Sequence, residues 1–146
     1  MKTRKLLCLL LLAALLSTLL LGCTTAEETA HAETQTKVMI DALIAKDYAT
    51  AYGLLANVIT EAEFEQFYTQ ATALFAGVTA YELQTIGSYV NFSLKNSYYE
   101  KTYQLMIDGV VFAEIKSTFF KASGEMCGFR VTLPEQSTTD DLATVA

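Results

Sequence analysis

The stretch TYQLMIDGVVFAEIKS at residues 102–117 has the pattern of a β-hairpin. Aliphatic, aromatic and β-branched side chains, which are common in strands, lie on both sides of Asp108-Gly109. Asp-Gly is a preferred two-residue turn because a type I′ turn needs positive φ angles at both positions. The pattern therefore predicts antiparallel strands at residues 99–107 and 110–121.

Two further strands are predicted on either side of this hairpin. In residues 89–95, YVNFSLK, apolar side chains (Val, Phe and Leu) alternate with more polar ones, as in a strand with one buried face. Asn96-Ser97 suits a turn. Residues 127–133 form the last predicted strand, which Pro134 ends because proline lacks a backbone N–H. The second half of the chain is thus predicted to be a four-stranded antiparallel meander.

Helical patterns precede the strands. Residues 37–57 place apolar side chains at helical spacing, and Asp47 either caps a new helix after a break at Lys46 or lies exposed on one long helix. Thr60 and Glu63 have the spacing of a capping box, which starts a helix predicted to end near Gly77. Helices followed by strands predict an α+β domain with the N-terminal helices packed on the sheet.

The charge of the chain argues against nucleic acid as a partner. The formal charge is −6, and residues 1–22 hold three of the ten basic side chains and none of the 16 acidic ones. The remaining residues therefore carry a formal charge of −9, which phosphate backbones and anionic lipids repel. Any attachment to a membrane has to come from something other than charge.

The first 22 residues are predicted to be a signal peptide. A basic start is followed by an apolar block at residues 6–21, which is shorter than the ~20 residues that span a bilayer. The block ends in Leu20-Leu21-Gly22-Cys23, which resembles the bacterial lipobox, although Leu21 departs from its commonest form. The resemblance implies cleavage between Gly22 and Cys23, lipid on the Cys23 thiol, and attachment to the outer side of the cell membrane, or to the outer membrane of a Gram-negative host.

Two other interpretations of the leader remain open at this point. Ala30-His31-Ala32 fits the A-x-A rule for ordinary secretory cleavage, but it lies some ten residues past the apolar block and leaves Cys23 unexplained. The apolar block could also be an uncleaved N-terminal membrane anchor.

The two ends of the mature chain are predicted to be unstructured. Residues 23–36 lack apolar periodicity and aromatic side chains, so they are predicted to be a flexible tether in which His31 is an incidental solvated residue. Residues 135–146 are polar and acidic, and are predicted to be a frayed, disordered tail. The folded domain is predicted at residues 37–134.

The cysteines and histidine give no indication of a metal or a cofactor. The chain has no CxxC pair, and its one histidine lies in the predicted tether. Cys127 is predicted to be a partly buried free thiol, because a Cys23–Cys127 disulfide would close a long flexible loop at an entropic cost. We therefore predict no metal site and no cofactor.

The predicted domain resembles the nuclear-transport-factor-2-like superfamily, a cystatin-like α+β fold. The resemblance lies in IAKDYATAYGLLANVITEAEFEQFY at residues 44–68 and FKASGEMCGFRVTL at residues 120–133, although Met126-Cys127 stands where Trp-Lys is common. It implies a curved sheet wrapped round a helix to form a conical pocket, which members use as an active site, a ligand site or an association surface.

The resemblance leaves the activity open. Acid–base chemistry of the kind that some members perform could draw only on residues that no motif fixes here: Asp41, Asp47, Tyr48, Tyr52, Tyr99 and Tyr103. We therefore expect a non-catalytic lipoprotein that binds a protein or small ligand, with a small Asp/Tyr enzyme as the alternative. One member of each pair Tyr98-Tyr99 and Phe119-Phe120 should face away from the helices, as edge packing or as a homodimer or partner surface.

Overall fold

The computed structural model describes residues 24–93, 95–134 and 143–145. The predicted signal peptide at residues 1–22, the lipid site Cys23 and the cleavage site between Gly22 and Cys23 lie outside the described residues. Three helices precede an antiparallel sheet, which confirms the predicted α+β class. Within the described ranges, none of the helices has the length and apolar character needed to cross a bilayer.

The helices are α1 at Ala26–Ala45, α2 at Tyr48–Gly53 and α3 at Glu61–Leu74. Lys46 takes a left-handed conformation between α1 and α2, with φ at 57°. Asp47 caps α2 by accepting a hydrogen bond from the Thr50 backbone N–H at 3.1 Å. Of the two alternatives at this point, the break followed by a capped second helix is therefore correct.

The capping box that starts α3 is confirmed. The Thr60 side chain accepts from the backbone N–H of Glu63, and the Glu63 carboxylate accepts from the backbone N–H of Thr60. The buried face of α3 carries Phe64, Phe67 and Ala71. These contacts hold α3 in the same hydrophobic core as the other helices.

The strands are β1 at Glu82–Asn91, β2 at Tyr98–Ile107, β3 at Val110–Phe120, β4 at Met126–Thr132 and β5 at Ala143–Val145. They form one sheet in chain order, with every neighbouring pair antiparallel. The predicted turn between β2 and β3 is confirmed, because Asp108 and Gly109 have φ angles of 51° and 77°.

The inner face of the sheet follows the predicted alternation. On β2, β3 and β4 every second side chain is buried against the helices. Tyr99 and Phe119 are buried, whereas their neighbours Tyr98 and Phe120 lie opposite each other on the outer face and are half-buried. The expectation that one aromatic of each pair faces away from the helices is thus confirmed.

The predicted bounds of the first strand were wrong. β1 begins at Glu82 and ends at Asn91, instead of covering residues 89–95. The register shifts between Thr85 and Gly87, which breaks the period of two that the sequence would otherwise display. As β1 is an edge strand, most of its side chains are exposed, so burial imposes little apolar pattern on it.

The predicted four-stranded antiparallel meander is confirmed as β1–β4, and a short fifth strand from the predicted frayed tail extends it. The backbone of Ala143–Val145 pairs with β4, with Val145 opposite Phe129 and Ala143 opposite Val131. This pairing satisfies N–H and C=O groups that β4 would otherwise present at an open edge. Residues 135–142 and 146 lie outside the described residues.

The largest correction concerns the predicted tether, because residues 26–36 form the first half of α1. Thr25 and Glu28 make a capping box like that of α3. Ala32 and Thr36 are completely buried, and the Thr36 hydroxyl donates to the Ser117 hydroxyl of β3 at 2.8 Å. The buried stripe here consists of small side chains that let the helix approach the sheet, and a search for large apolar residues does not detect it.

A truncation tests this correction. A soluble protein that begins at Lys37 is expected to lose at least about 2 kcal/mol of its free energy of unfolding, relative to one that begins at Thr24. The loss follows from the missing cap and the missing buried hydrogen bond. Urea unfolding of both chains, followed by circular dichroism, measures the difference. Equal unfolding midpoints would show that residues 24–36 are a tether after all.

Candidate functional site

The two aspartates considered for catalysis are both exposed. The Asp41 carboxylate accepts a hydrogen bond from the Tyr81 hydroxyl at 2.7 Å. Burial, together with this carboxylate, raises the pKa of Tyr81. Hydrogen bonds from Thr50 lower the pKa of Asp47 below its ordinary value. Neither carboxyl is buried, and burial is what would prepare a carboxyl to serve as a general acid.

Tyr48 and Tyr52 belong to an aromatic cluster at the start of α2. The Tyr48 ring stands edge-on to Phe64 and Tyr68, at centroid distances of 5.3 and 5.0 Å, and stacks on Tyr52 at 5.9 Å. Desolvation, with the nearby carboxylates of α3, raises the pKa of Tyr48. These rings pack α2 against α3, which is a sufficient structural reason for both tyrosines.

Tyr99 and Tyr103 lie on the inner face of β2, on either side of Lys101, and both are almost completely buried. Burial raises the pKa of each hydroxyl to about 12, so both are protonated at neutral pH. The Tyr103 hydroxyl makes no hydrogen bond of acceptable geometry within the described part of the chain, although the nearby Thr36 side chain acts to lower its pKa.

A groove of about 640 Å³ opens between the first half of α1 and the turn that follows β3. Glu28, His31 and Thr34 are among the residues that line it from the start of α1, residues 121–124 line it from the turn, and Tyr99 lines it from β2. Among the six residues considered for acid–base chemistry, Tyr99 alone lies in this groove.

His31 ties the helix side of the groove to the turn side. Its Nε2 donates to the carbonyl oxygen of Gly124 at 2.8 Å, and its ring stands edge-on to Phe119 at 6.1 Å. Gly124 has a φ of +72°, and a Cβ there would lie 3.4 Å from His31 Nε2. The expectation that His31 is an incidental residue of a tether was wrong, because α1 begins five residues before it.

Opposite charges meet at the rim of the groove. Lys121 Nζ lies 3.3 Å from a carboxylate oxygen of Glu28, whose other oxygen accepts from the Thr25 backbone N–H at 2.8 Å. Glu28 is thus held both by its helix cap and by the turn. The groove therefore presents hydroxyl groups, an imidazole ring and an ion pair, all of which can form hydrogen bonds with a polar ligand.

A second cavity, of about 400 Å³, lies between the end of α3 and the turn joining β2 to β3. Leu74, Val78, Val110 and Phe112 are among its lining residues, and Asp108 is the one ionisable side chain in the lining. It is separate from the groove, since the two share no lining residue.

Cys127 is a free, half-buried thiol, as expected, and burial raises its pKa to about 11. It is therefore protonated and a weak nucleophile at neutral pH. Across residues 24–93 and 95–134, no group of three or more His, Cys, Asp or Glu side chains is arranged to hold a metal ion.

No protein-family model matches the chain, and neither does any curated protein or solved structure. The interpretation of the groove therefore depends on its own residues. Sequence reasoning missed Glu28, His31 and Lys121, although the Thr25–Glu28 capping box was a readable signal that a helix begins before His31.

The buried hydroxyl of Tyr103 is expected to lower the stability of the fold. Tyr103→Phe is expected to raise the free energy of unfolding by about 1 kcal/mol at pH 7, because it removes a buried hydroxyl that has no partner. The folded pKa of Tyr103, about 12, is higher than the ordinary value of 10.0, so the hydroxyl ionises first in the unfolded chain. The free energy of unfolding of the wild type therefore falls as the pH rises from 10 towards 12. The variant should therefore lose less stability than the wild type over that range.

Urea unfolding at pH 7 and at alkaline pH measures both effects. Tyr98→Phe on the outer face is the matched control, and it should not raise the stability at pH 7 because the Tyr98 hydroxyl already accepts from Asn91 Nδ2 at 3.1 Å. A Tyr103→Phe variant less stable than the wild type at pH 7 would show that the hydroxyl makes a favourable interaction.

Proposed function

We propose that this protein is a lipoprotein, anchored through acyl chains on Cys23 and displayed outside the cytoplasmic membrane. The observation that carries the proposal is the apolar block at residues 6–21, which ends at Gly22-Cys23. Two or three acyl chains would give durable attachment, since each buried CH₂ contributes about 0.8 kcal/mol.

The fold supports this proposal over ordinary secretion. Cleavage after Ala32 would cut α1 seven residues after it begins, and would remove both its capping box and the buried Ala32. Cleavage before Cys23 leaves Thr25 and the whole helix intact. A processing site inside a packed helix would discard part of the core, so Gly22-Cys23 is the site more compatible with the folded domain.

We propose further that the anchored domain is a non-catalytic binding module, and that the groove beside His31 is its binding site. Its volume of about 640 Å³ is in the range of small-ligand sites, and its lining supplies donors and acceptors at a fixed geometry. The alternative of Asp/Tyr acid–base catalysis receives little support. Asp41 and Asp47 are exposed, and neither lines the groove that the buried Tyr99 lines.

Replacing the lipid-bearing cysteine tests the anchor. Cys23→Ala is expected to abolish labelling by an alkyne fatty acid and to prevent removal of residues 1–22, because the thiol is the group that accepts the lipid. Cys127→Ala is the matched control and should be labelled and processed like the wild type. Intact mass and membrane fractionation provide the readout, and an unchanged mass and distribution for Cys23→Ala would refute the proposal.

Photo-crosslinking tests the binding role of the groove. A photoreactive amino acid at Thr34 in intact cells is expected to give a discrete adduct, because Thr34 is an exposed groove residue. The same probe at Thr79, in the second cavity, is the control and should give none. Adducts at neither position, or at both equally, would contradict the assignment of the groove as the binding site.

A further inference from the structure

The first described residue is fixed to the sheet and does not hang free of it. Lys101 Nζ donates to the Thr24 hydroxyl at 2.8 Å, and that hydroxyl lies 3.3 Å from the hydroxyl of Ser88 on β1. Lys101 is 4% exposed, and it stands opposite Ser88 in the pairing of β1 with β2. The chain therefore enters the domain beside the edge strand, at Ser88.

This entry point determines where a lipid anchor would leave the domain. Consecutive Cα atoms lie about 3.8 Å apart, so Cys23 is one residue from the contact with Ser88. Thr25 caps α1 immediately afterwards, which leaves no slack between the acylated residue and the fold. If Cys23 carries lipid, as proposed above, the bilayer surface lies next to β1.

The same part of β1 carries exposed apolar side chains. Ile86 is 47% exposed, and Tyr89 and Phe92 are each 54% exposed. All three are within four residues of Ser88, which corresponds to at most about 13 Å along a strand. Val110, at 69%, is the other large apolar side chain exposed among the described residues, and it lies beyond the far end of β1, at the turn joining β2 to β3.

The chemistry of this flank suits the headgroup region of a bilayer. Tyrosine is favoured where an apolar environment meets water, and phenylalanine is common on the apolar face of segments that lie on a membrane surface. Residues 89–99 include Lys95 and no carboxylate, in a chain with 16 acidic residues. Nearby, Lys121 Nζ lies 5.5 Å from the centre of the Phe92 ring, and Lys116 pairs at 3.6 Å with Glu100, which stands opposite Tyr89.

We infer that the flank of β1 formed by Ile86, Tyr89 and Phe92 lies against the lipid surface when Cys23 is acylated. The anchor and the flank together would hold the domain in one orientation, with β1 towards the membrane and the turn at Val110 away from it. This inference rests on the proposed lipidation, and it adds that the protein domain itself contacts the bilayer.

The absence of tryptophan from the chain allows a direct test with single-tryptophan variants. Phe92→Trp and Val110→Trp replace two exposed apolar residues near opposite ends of the sheet. Each mature lipoprotein is purified from membranes and reconstituted into vesicles of equal parts phosphatidylethanolamine and phosphatidylglycerol with brominated acyl chains. For Phe92→Trp we expect a blue-shifted emission that the bromolipid quenches, and for Val110→Trp an unshifted, unquenched emission.

The outcomes separate this inference from the proposed anchor. Acylated protein that sediments with the vesicles, but whose Phe92→Trp emission matches that of Val110→Trp, overturns the inference and leaves the anchor intact. Protein without an acyl mass that fails to sediment overturns the anchor, and the inference with it. A blue shift of Phe92→Trp that rises with protein concentration in the unlipidated domain, without vesicles, would show that a second copy covers the flank and would also overturn the inference.

Discussion

The packing of α1 across the inner face of the sheet is the interaction on which the rest of the structure depends. The first half of the helix contributes small buried residues, Ala32 and Thr36, and the second half contributes larger ones, including Met39 and Leu43. The Thr36–Ser117 hydrogen bond between buried hydroxyls shows how closely helix and strand approach. Because burial of apolar area stabilises by roughly 25 cal/mol per Å², this contact stabilises the curved sheet together with the helix.

The position of α1 also explains where the groove and the chain entry lie. The helix starts at a corner of the sheet, where His31 reaches the turn after β3 and Thr24 contacts Ser88 of β1 and Lys101 of β2. Lys101 is buried, and this burial lowers its pKa, while Glu28 acts in the opposite direction. A lysine held in this way is costly unless it is hydrogen-bonded, so its bond to Thr24 fixes the start of the fold.

The elements that could be predicted from the sequence are those in which burial repeats large apolar side chains at the period of a strand or helix. Elements without such a repeat were missed or misplaced. The alternation of β2, β3 and β4 and the box at Thr60–Glu63 were readable because large side chains alternate or a cap is flanked by aromatic residues. The first half of α1 was missed because its buried side chains are those of alanine and threonine, which also occur in linkers. β1 is an edge strand with a bulge, and β5 depends on pairing with β4, so neither leaves a clear local pattern.

The candidate site was less predictable than the fold, for a related reason. The groove combines Glu28 and His31 from one helix with Lys121 from a turn some 90 residues later, and no local spacing connects them. The tyrosines that the sequence offered for chemistry instead fill the core or pack α2 on α3. Tyr99 is the exception, since it is buried in the core and also lines the groove.

Amide hydrogen exchange of the mature protein tests the central claim most directly. If the first half of α1 is packed on the sheet, the amides of residues 30–36 should be protected to a degree comparable with those of Met39–Leu43 in the same helix. Exchange of residues 30–36 at the rate of an unstructured peptide, with Met39–Leu43 still protected, would contradict it. The groove, the fixed entry at Thr24 and the orientation at the membrane would then lose their common support.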